Sequence, residues 1–182
     1  MEVVGPPRGG RYLPAEDTYL LRDALLGCSG GACLEIGFGT GAVVSSLARR
    51  FETAAATDVM PLDEARLSRA PGVDLVLADR AACFREASFD LVFFNPPYVP
   101  SEGVSDTAVD GGEGGVEVPA RFLEEALRVL APGGQVMVLL SGEGDLGAFE
   151  ARCRSAGLEV ERAAERRLFY ETLVVYRLRR QA

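Results

Sequence analysis

The chain has 182 residues, 48% of them hydrophobic, and a formal net charge of -8 at pH 7. This length fits a single domain over residues 1–182, the acidic charge disfavours nucleic acid, and no apolar run approaches the roughly 20 residues that a membrane-spanning helix needs. The chain has no His, no Lys and no C-x-x-C pair, so the commonest metal ligand and the commonest general base are missing, and we expect no metal site.

The first half of the chain alternates predicted helices and strands. Its start lacks the order of a signal peptide, so we expect a soluble cytoplasmic protein with a flexible lead over residues 1–11. The N-terminal helix region, residues 12–27, has helical apolar spacing. The elements predicted next are a strand over Ala32–Ile36, a glycine-rich turn, a helix over Ala42–Phe51, the strand TAAATD, a helical segment after Pro61, and the strands VDLVLAD and FDLVFF.

The second half continues the alternation and ends differently. A helix from Pro119 to Leu130 is expected to stop at Pro132-Gly133-Gly134, ahead of the strand QVMVLL and a helix over Leu146–Ala156. Two last strands, near Leu158–Arg162 and Phe169–Arg177, have no helix between them, which favours an antiparallel hairpin. The pattern predicts a three-layer α/β fold with a mainly parallel sheet.

One long segment, residues 99–118, has no regular pattern. Loops of that length in a compact domain are usually functional or disordered. It contains five acids and no basic residue, namely Glu102, Asp106, Asp110, Glu113 and Glu117. We interpret it as a substrate loop.

A glycine-rich turn follows the first strand, with Gly37, Gly39 and Gly41 in a G-x-G-x-G spacing. Glycine lets the backbone turn sharply and approach a ligand. A plain strand-to-helix turn and a dinucleotide site are both alternatives. Glu35, two residues before the first glycine, would repel a pyrophosphate, so a cationic or zwitterionic ligand fits better.

Two further acids follow the second and third strands. Asp58 stands where a carboxylate can accept both hydroxyls of a ribose, and Asp79 is placed to bind an exocyclic amine such as adenine N6. Simple structural roles, such as a helix cap for Asp58, remain open. Ligands of open α/β sheets bind at the carboxyl ends of the strands, and an adenosine with a positively charged tail is S-adenosylmethionine.

The tetrapeptide Asn95-Pro96-Pro97-Tyr98 ends the strand FDLVFF. The prolines fix the backbone and lack N–H groups, so the nearby carbonyls can accept from a bound group. The Asn95 side chain adds an acceptor and two donors, and Tyr98 adds a flat wall. Together these four residues form a candidate catalytic fork for a planar NH2 group.

These motifs resemble class I S-adenosylmethionine-dependent methyltransferases that modify amide or exocyclic amino nitrogens. The segment RYLPAEDTYLLRDAL, with Tyr12, Pro14 and Glu16-Asp17-Thr18, resembles the short eukaryotic and archaeal HemK-like release-factor glutamine methyltransferases. The resemblance implies a Rossmann-like fold with a seven-stranded, mainly parallel sheet, a C-terminal antiparallel hairpin and helices on both faces. Phe38, bulkier than the usual residue of the glycine loop, and Glu113 depart from the family pattern.

The resemblance also implies roles and partners. Thr18 would contact the methionine end of the cofactor, Glu35, Gly37 and Asp58 would hold methionine and ribose, and Asp79 would lie at the adenine. Asn95, also near the cofactor, would bind the target amide with Pro96. The implied substrate is the glutamine of a Gly-Gly-Gln motif in a class I release factor, and the implied partner is a small zinc-binding Trm112-like activator.

Three alternatives stay open from the sequence. An adenine-N6 DNA or RNA methyltransferase would use the same fork, because adenine N6 is also a planar amino group. Another protein side chain could be the substrate. A non-catalytic subunit that only binds the cofactor is the third reading, although the intact tetrapeptide argues against it.

Overall fold

The computed structural model describes residues 14–60, 70–103 and 109–181, and within them the chain forms nine strands and four α-helices. The helices are α1 (Glu16–Leu25), α2 (Ala42–Leu47), α3 (Glu117–Val129) and α4 (Leu146–Ser155). The strands are β1 (Gly30–Ile36), β2 (Phe51–Asp58), β3 (Asp74–Leu77), β4 (Phe89–Phe94), β5 (Val99–Pro100), β6 (Asp110–Gly112), β7 (Leu130–Ser141), β8 (Leu158–Arg167) and β9 (Thr172–Arg180). Short 3-10 turns cover Ala48–Arg50 and Glu113–Gly115.

Seven of these strands form one sheet, in the order β3-β2-β1-β4-β7-β9-β8. The pairs from β3 to β7 are parallel, and the β7–β9 and β8–β9 pairs are antiparallel. The predicted mainly parallel sheet with a C-terminal antiparallel hairpin is therefore confirmed. The strand order reverses beside β1, the place where open α/β sheets bind ligands.

Helices cover both faces of the sheet, as predicted. On one face α1 and α2 pack their apolar residues, including Leu21, Leu25 and Leu47, against alternate residues of β1, β2, β4 and β7. On the other face α3 and α4 do the same with Leu123, Ala126, Val129, Phe149 and Cys153. The middle strands are apolar on both sides because both faces are buried, which explains their unbroken hydrophobic runs.

Several predicted boundaries were wrong. The turn Pro132-Gly133-Gly134 lies inside β7, where the register with β4 shifts between Leu130 and Gln135 and Gly134 comes close to the Asp90 carbonyl. Helix α3 begins at Glu117, two residues before Pro119, because a proline in the first helical turn sacrifices no intrahelical bond. Phe169, predicted in the last strand, lies in the turn between β8 and β9.

The segment 99–118 is more ordered than its sequence suggests. β5 and β6 pair within it as a two-stranded parallel sheet, the 3-10 turn over Glu113–Gly115 follows, and the first two residues of α3 end it. Residues 104–108 lie outside the described residues, as do the lead over 1–11, Tyr12 and the helical segment predicted after Pro61. No helix in residues 14–60, 70–103 or 109–181 is both long and apolar enough to cross a bilayer.

Candidate active site

The carboxyl ends of three neighbouring strands gather the predicted residues at one edge of the sheet. Ile36, at the end of β1, lies opposite Thr57 of β2 and Phe94 of β4. The glycine loop, Asp58 and Asn95 follow directly from these three positions. Residues about 60 positions apart in the chain are therefore neighbours because parallel strands end together.

The glycine loop has a backbone that only glycine adopts easily. Gly37, Gly39 and Gly41 have φ values of 84°, 51° and 75°, in the left-handed region. The N–H groups of Gly37 and Phe38 both donate to the Thr57 carbonyl, at 2.9 and 2.8 Å, which ties the loop to β2. A Cβ at Gly37 would meet nothing within 4 Å, so this side of the loop is open for a ligand.

Glu35 lies buried beneath the loop, with 5% of its surface exposed. Its Oε2 accepts from the Val44 N–H at 3.1 Å, so it also anchors the first turn of α2. Burial raises the pKa of this carboxyl to about 8, the nearby Asp58 charge adds to the rise, and the Val44 N–H opposes it. A cationic group beside Glu35 would favour its ionised form, which fits the predicted positively charged ligand.

Asp58 and Asp79 differ in their surroundings, and their predicted roles at the ribose and the adenine remain predictions. The two Asp58 oxygens accept from the N–H groups of Gly39, at 3.1 Å, and Met60, at 2.8 Å, so this carboxylate already braces the glycine loop. Asp79 does not end β3 as predicted, because the strand stops at Leu77. Its side chain is 62% exposed and forms an ion pair with the adjacent Arg80 at 2.9 Å.

Asn95 is held by a residue that the sequence analysis did not single out, Asp17 of α1. The Asn95 Nδ2 donates to Asp17 Oδ2 at 2.7 Å, and Asp17 is only 4% exposed. The other end of the amide, Asn95 Oδ1, is buried and has no hydrogen-bond partner among the described residues. A buried oxygen without a donor costs about 1 to 3 kcal/mol, which a bound NH2 group would recover.

Thr18 lies beside this pair and is 7% exposed. Its backbone N–H donates to Asp17 Oδ1 at 2.7 Å, so one carboxylate oxygen is fixed by the helix while the other serves Asn95. The predicted role of Thr18 at the methionine end of the cofactor remains a prediction. The only sequence signal for Asp17 was its place in the Glu16-Asp17-Thr18 motif, which did not show its partner.

Tyr98 is enclosed by the glycines of the segment after it. A Cβ at Gly111 would lie 2.7 Å from the Tyr98 Cα and carbonyl carbon, and one at Gly115 would lie 2.3 Å from the Tyr98 carbonyl oxygen. Burial, followed by the charge of Asp17, raises the pKa of the Tyr98 phenol well above its usual range. Tyr98 is therefore a neutral wall whose backbone is clamped by two glycines.

An open, acidic groove of about 670 Å³ lies beside this tetrapeptide. Three of its residues are glutamates, and it includes Gly114, the neighbour of the clamping Gly115. Its lining consists of Pro100, Ser101, Glu102, Gly103, Glu113, Gly114 and Glu117. Within residues 14–60, 70–103 and 109–181, no group of three or more acidic or cysteine side chains could hold a metal ion.

Comparison with known proteins identifies the family. No family model matches the chain. Over 189 residues, however, it is 33% identical to the methyltransferase HEMK2 of Mus musculus, a match that covers 91% of this chain and 88% of that protein. The chain belongs to the HEMK2 methyltransferase family.

Two further similarities extend this assignment. A release factor glutamine methyltransferase of Bradyrhizobium diazoefficiens is 32% identical over 148 residues, which cover 70% of this chain and 49% of that protein. A chain of the E. cuniculi Mtq2–Trm112 complex, responsible for methylation of the translation termination factor eRF1, has a TM-score of 0.78 and 30% identity. That match covers 93% of this chain and 98% of the other, so the HEMK2-like fold extends over nearly the whole chain.

Phe38 departs from the expected pattern of the glycine loop, but its ring lies in the core and not on the open side of the loop at Gly37. Its ring is 2% exposed and packs in the core with α1 and α2. The ring occupies the space where a Cβ of Gly41 would lie, 2.3 Å from the Phe38 Cζ. In this HEMK2-family chain the bulky residue is therefore matched by the absence of a side chain at Gly41.

Replacing Asp58 with Ala is expected to weaken cofactor binding by about 10- to 100-fold, because in its predicted role this carboxylate accepts hydrogen bonds from the ribose hydroxyls. Isothermal titration with S-adenosylmethionine measures the change. Asp90→Ala is the matched control, since Asp90 Oδ2 also accepts from two backbone N–H groups, those of Gly31 and Ala32, but at the opposite edge of the sheet. Equal losses of cofactor affinity in both variants would show that Asp58 only supports the glycine loop.

Proposed function

We propose that this HEMK2-family chain is a protein glutamine-N5 methyltransferase that uses S-adenosylmethionine and modifies the Gly-Gly-Gln motif of a class I release factor. The observation that carries the proposal is the buried Asn95 Oδ1 at the carboxyl edge of the sheet, which has no hydrogen-bond partner in residues 14–60, 70–103 and 109–181. An amide NH2 is a donor that suits this oxygen. A release-factor substrate also implies a cytoplasmic enzyme.

The residues present fit the cofactor. The open side of Gly37 supplies space, Asp58 supplies acceptors for hydroxyls, and the buried Glu35 supplies a carboxyl whose ionised form a cationic ligand would favour. Glu35 and the glycine loop would hold the methionine part, Asp58 the ribose and Asp79 the adenine. When bound, S-adenosylmethionine supplies an electrophilic methyl group.

The chain would contribute mainly positioning. An amide nitrogen is a weak nucleophile because its lone pair is delocalised into the carbonyl. Asn95 Oδ1 and the Pro96 carbonyl would accept hydrogen bonds from the two N–H groups, hold the nitrogen and favour tetrahedral character there. Such alignment can contribute roughly 7 to 11 kcal/mol. The nitrogen gains one carbon and then loses one proton to water, so no His or Lys is needed.

The groove supports a protein substrate over a nucleic acid. Glu102, Glu113 and Glu117 line it beside the tetrapeptide, and the chain has a net charge of -8. An acidic surface repels a phosphate backbone and attracts a basic protein segment. An adenine-N6 methyltransferase would share the fork at Asn95 but would need a basic approach path.

The deciding experiment incubates the purified chain with labelled S-adenosylmethionine and a class I release factor. Label is expected on the release factor and absent from a version whose motif glutamine is replaced with Ala. Label that survives this replacement would overturn the glutamine assignment. Transfer to an adenine-containing oligonucleotide, weakened by salt, would instead support the nucleic-acid alternative.

We propose that a small zinc-binding, Trm112-like activator docks on the edge strand β3, with the zinc held by the partner. An edge strand offers unpaired N–H and C=O groups for pairing with another chain. Leu77 on this strand is 58% exposed, and Val59 and Met60, which follow β2, are 60% and 62% exposed. The E. cuniculi complex, one chain of which is similar in fold to this protein, also contains a Trm112 subunit.

Leu77→Glu is expected to reduce co-purification with the activator by about 10-fold or more, because a charge replaces apolar contact area at an interface. Pull-down of the two co-expressed chains measures this. Leu26→Glu is the matched control, because Leu26 is 44% exposed and lies at the C-terminal end of α1. Unchanged pairing in Leu77→Glu, or equal losses in both variants, would contradict docking at β3.

A further inference from the structure

We infer that Asp17 is a positioning residue that makes the amide fork accept hydrogen bonds only, and that it thereby sets the preference for glutamine over glutamate. The inference rests on the proposed function and deepens it. Its basis is the Asp17–Asn95 hydrogen bond of 2.7 Å together with the oxygen at the other end of the Asn95 amide, for which the described part of the chain provides no donor. Asp17 acts through Asn95 and is not itself a catalytic residue.

An asparagine side chain can present either its oxygen or its NH2 group to a ligand. Rotating the amide by 180° exchanges the two with little change in shape. A carboxylate only accepts, so Asp17 Oδ2 requires Asn95 Nδ2 as its neighbour. The oxygen of Asn95 is then fixed on the other side, and the site is left with acceptors alone.

Asp17 is itself held in place by hydrogen bonds, so the orientation of the Asn95 amide is fixed as well. The Thr18 N–H donates to Oδ1 at 2.7 Å, and the Thr18 hydroxyl approaches the same oxygen at 3.4 Å. The Tyr98 hydroxyl lies 3.5 Å from Oδ2, on the Asn95 side. Both carboxylate oxygens are therefore committed, one to the start of α1 and one to the tetrapeptide.

The consequence is chemical selectivity. The NH2 of a glutamine can donate to Asn95 Oδ1, whereas the carboxylate of a glutamate has no proton to donate and would face an acceptor with Asp17 behind it. A site whose acceptor is placed to receive a hydrogen bond rejects a ligand that has no donor, because the acceptor of the site then stays unpaired. Glutamate is the deamidation product of glutamine, so the release factor offers a natural comparison.

Asp17→Asn is expected to reverse which end of the Asn95 amide faces the substrate. The Thr18 N–H still needs an acceptor, so the oxygen of the new amide should stay at the Oδ1 position. The NH2 group of the new side chain at position 17 would then face Asn95. The Asn95 amide must rotate so that its oxygen accepts from this group, and Asn95 Nδ2 then points toward the substrate. The fork would then present a donor, and the negative charge behind it would be gone.

The experiment compares wild type and Asp17→Asn with two forms of the release factor. Methylation of the glutamine form gives kcat and KM, and inhibition by the form with glutamate in the motif gives its affinity. In wild type the glutamate form should bind about 10-fold or more weakly than the glutamine form. In Asp17→Asn we expect kcat to fall by about 100-fold and the glutamate form to bind at least as well as the glutamine form.

Two further variants separate positioning from folding. Asp17→Glu keeps a carboxylate, so it should retain the glutamine preference even if it turns over slowly. Asp23→Asn, which removes an exposed acid from the same helix, should behave as wild type. If Asp17→Asn loses turnover but keeps the wild-type preference for glutamine, the inference is overturned, and wild-type turnover in Asp17→Asn would overturn it as well.

A substrate-independent measurement separates this inference from the proposed function. In ¹H–¹⁵N spectra the Asn95 side-chain NH2 should have one proton shifted downfield by the Asp17 carboxylate, and that shift should disappear in Asp17→Asn. Asn95→Ala assigns the signal. An unshifted signal in wild type would refute the inference, whereas a shifted signal in an enzyme that does not methylate the release factor would refute only the proposed substrate.

Discussion

Asn95→Ala is expected to lower kcat for release-factor methylation by about 1,000-fold or more, with the dissociation constant of S-adenosylmethionine changed by no more than about threefold. The variant removes the side-chain acceptor that would hold the amide nitrogen in line for transfer. It also removes the Asn95 N–H that donates to the buried Asp17 Oδ2, so part of the loss comes from disorder in the remaining fork. Single-turnover kinetics and calorimetry measure the two quantities separately.

Gln135→Ala is the matched control for this variant. Gln135 is also a half-buried amide, which donates to Cys28 Sγ and accepts from Arg179. It lies opposite Leu91 in the sheet, away from the carboxyl ends that carry the site. Its replacement should leave kcat near wild type. A fall in cofactor affinity for Asn95→Ala as large as that for Asp58→Ala would show that Asn95 serves mainly the cofactor.

The sequence was sufficient to predict the features that follow from local chemistry and strand alternation. Glycines at three alternate positions predicted a strained turn, and Gly37, Gly39 and Gly41 all have positive φ. Apolar runs predicted buried strands, and because parallel strands end at one edge, Asp58 and Asn95 could be placed near the glycine loop. Each of these inferences needs only a short window of sequence.

Contacts between distant segments could not be predicted in the same way. Asp17 and Asn95 are 78 residues apart, and nothing in either segment indicates that α1 delivers a carboxylate to the tetrapeptide. The register of β7 against β4 similarly allows Pro132-Gly133-Gly134 to join a strand that local signals place after them. Tertiary packing decides such positions, so local propensity is a weak guide there.

The glycines of residues 111–115 could be predicted only in part from the sequence. Their sequence predicted a loop of functional interest, but it did not indicate what the absent side chains make room for. The structure places the Tyr98 backbone against both Gly111 and Gly115. These glycines are needed because two pieces of backbone touch there, which connects the acidic groove mechanically to the tetrapeptide.

Gly115→Ala is expected to lower kcat by about 100-fold and the free energy of unfolding by about 2 to 4 kcal/mol, while cofactor affinity stays within about threefold of wild type. The new Cβ would lie 2.3 Å from the Tyr98 carbonyl oxygen and 3.2 Å from the Pro100 ring, and the residue has a φ of 68°. Backbone cannot move aside as a flexible side chain can, so Tyr98 and the preceding prolines must shift. Denaturant unfolding and steady-state kinetics test both effects.

Gly114→Ala distinguishes the close contact from backbone strain. Gly114 also has a positive φ, of 60°, but a Cβ there would meet only ordinary contacts, the nearest being Asp145 Cβ at 3.7 Å. It should therefore lose only the left-handed strain, about 1 to 2 kcal/mol, with kcat close to wild type. If both variants lose stability equally and neither loses turnover, the contact with Tyr98 does not position the fork. A kcat loss confined to Gly115→Ala would mean that the acidic groove and the tetrapeptide share one rigid support.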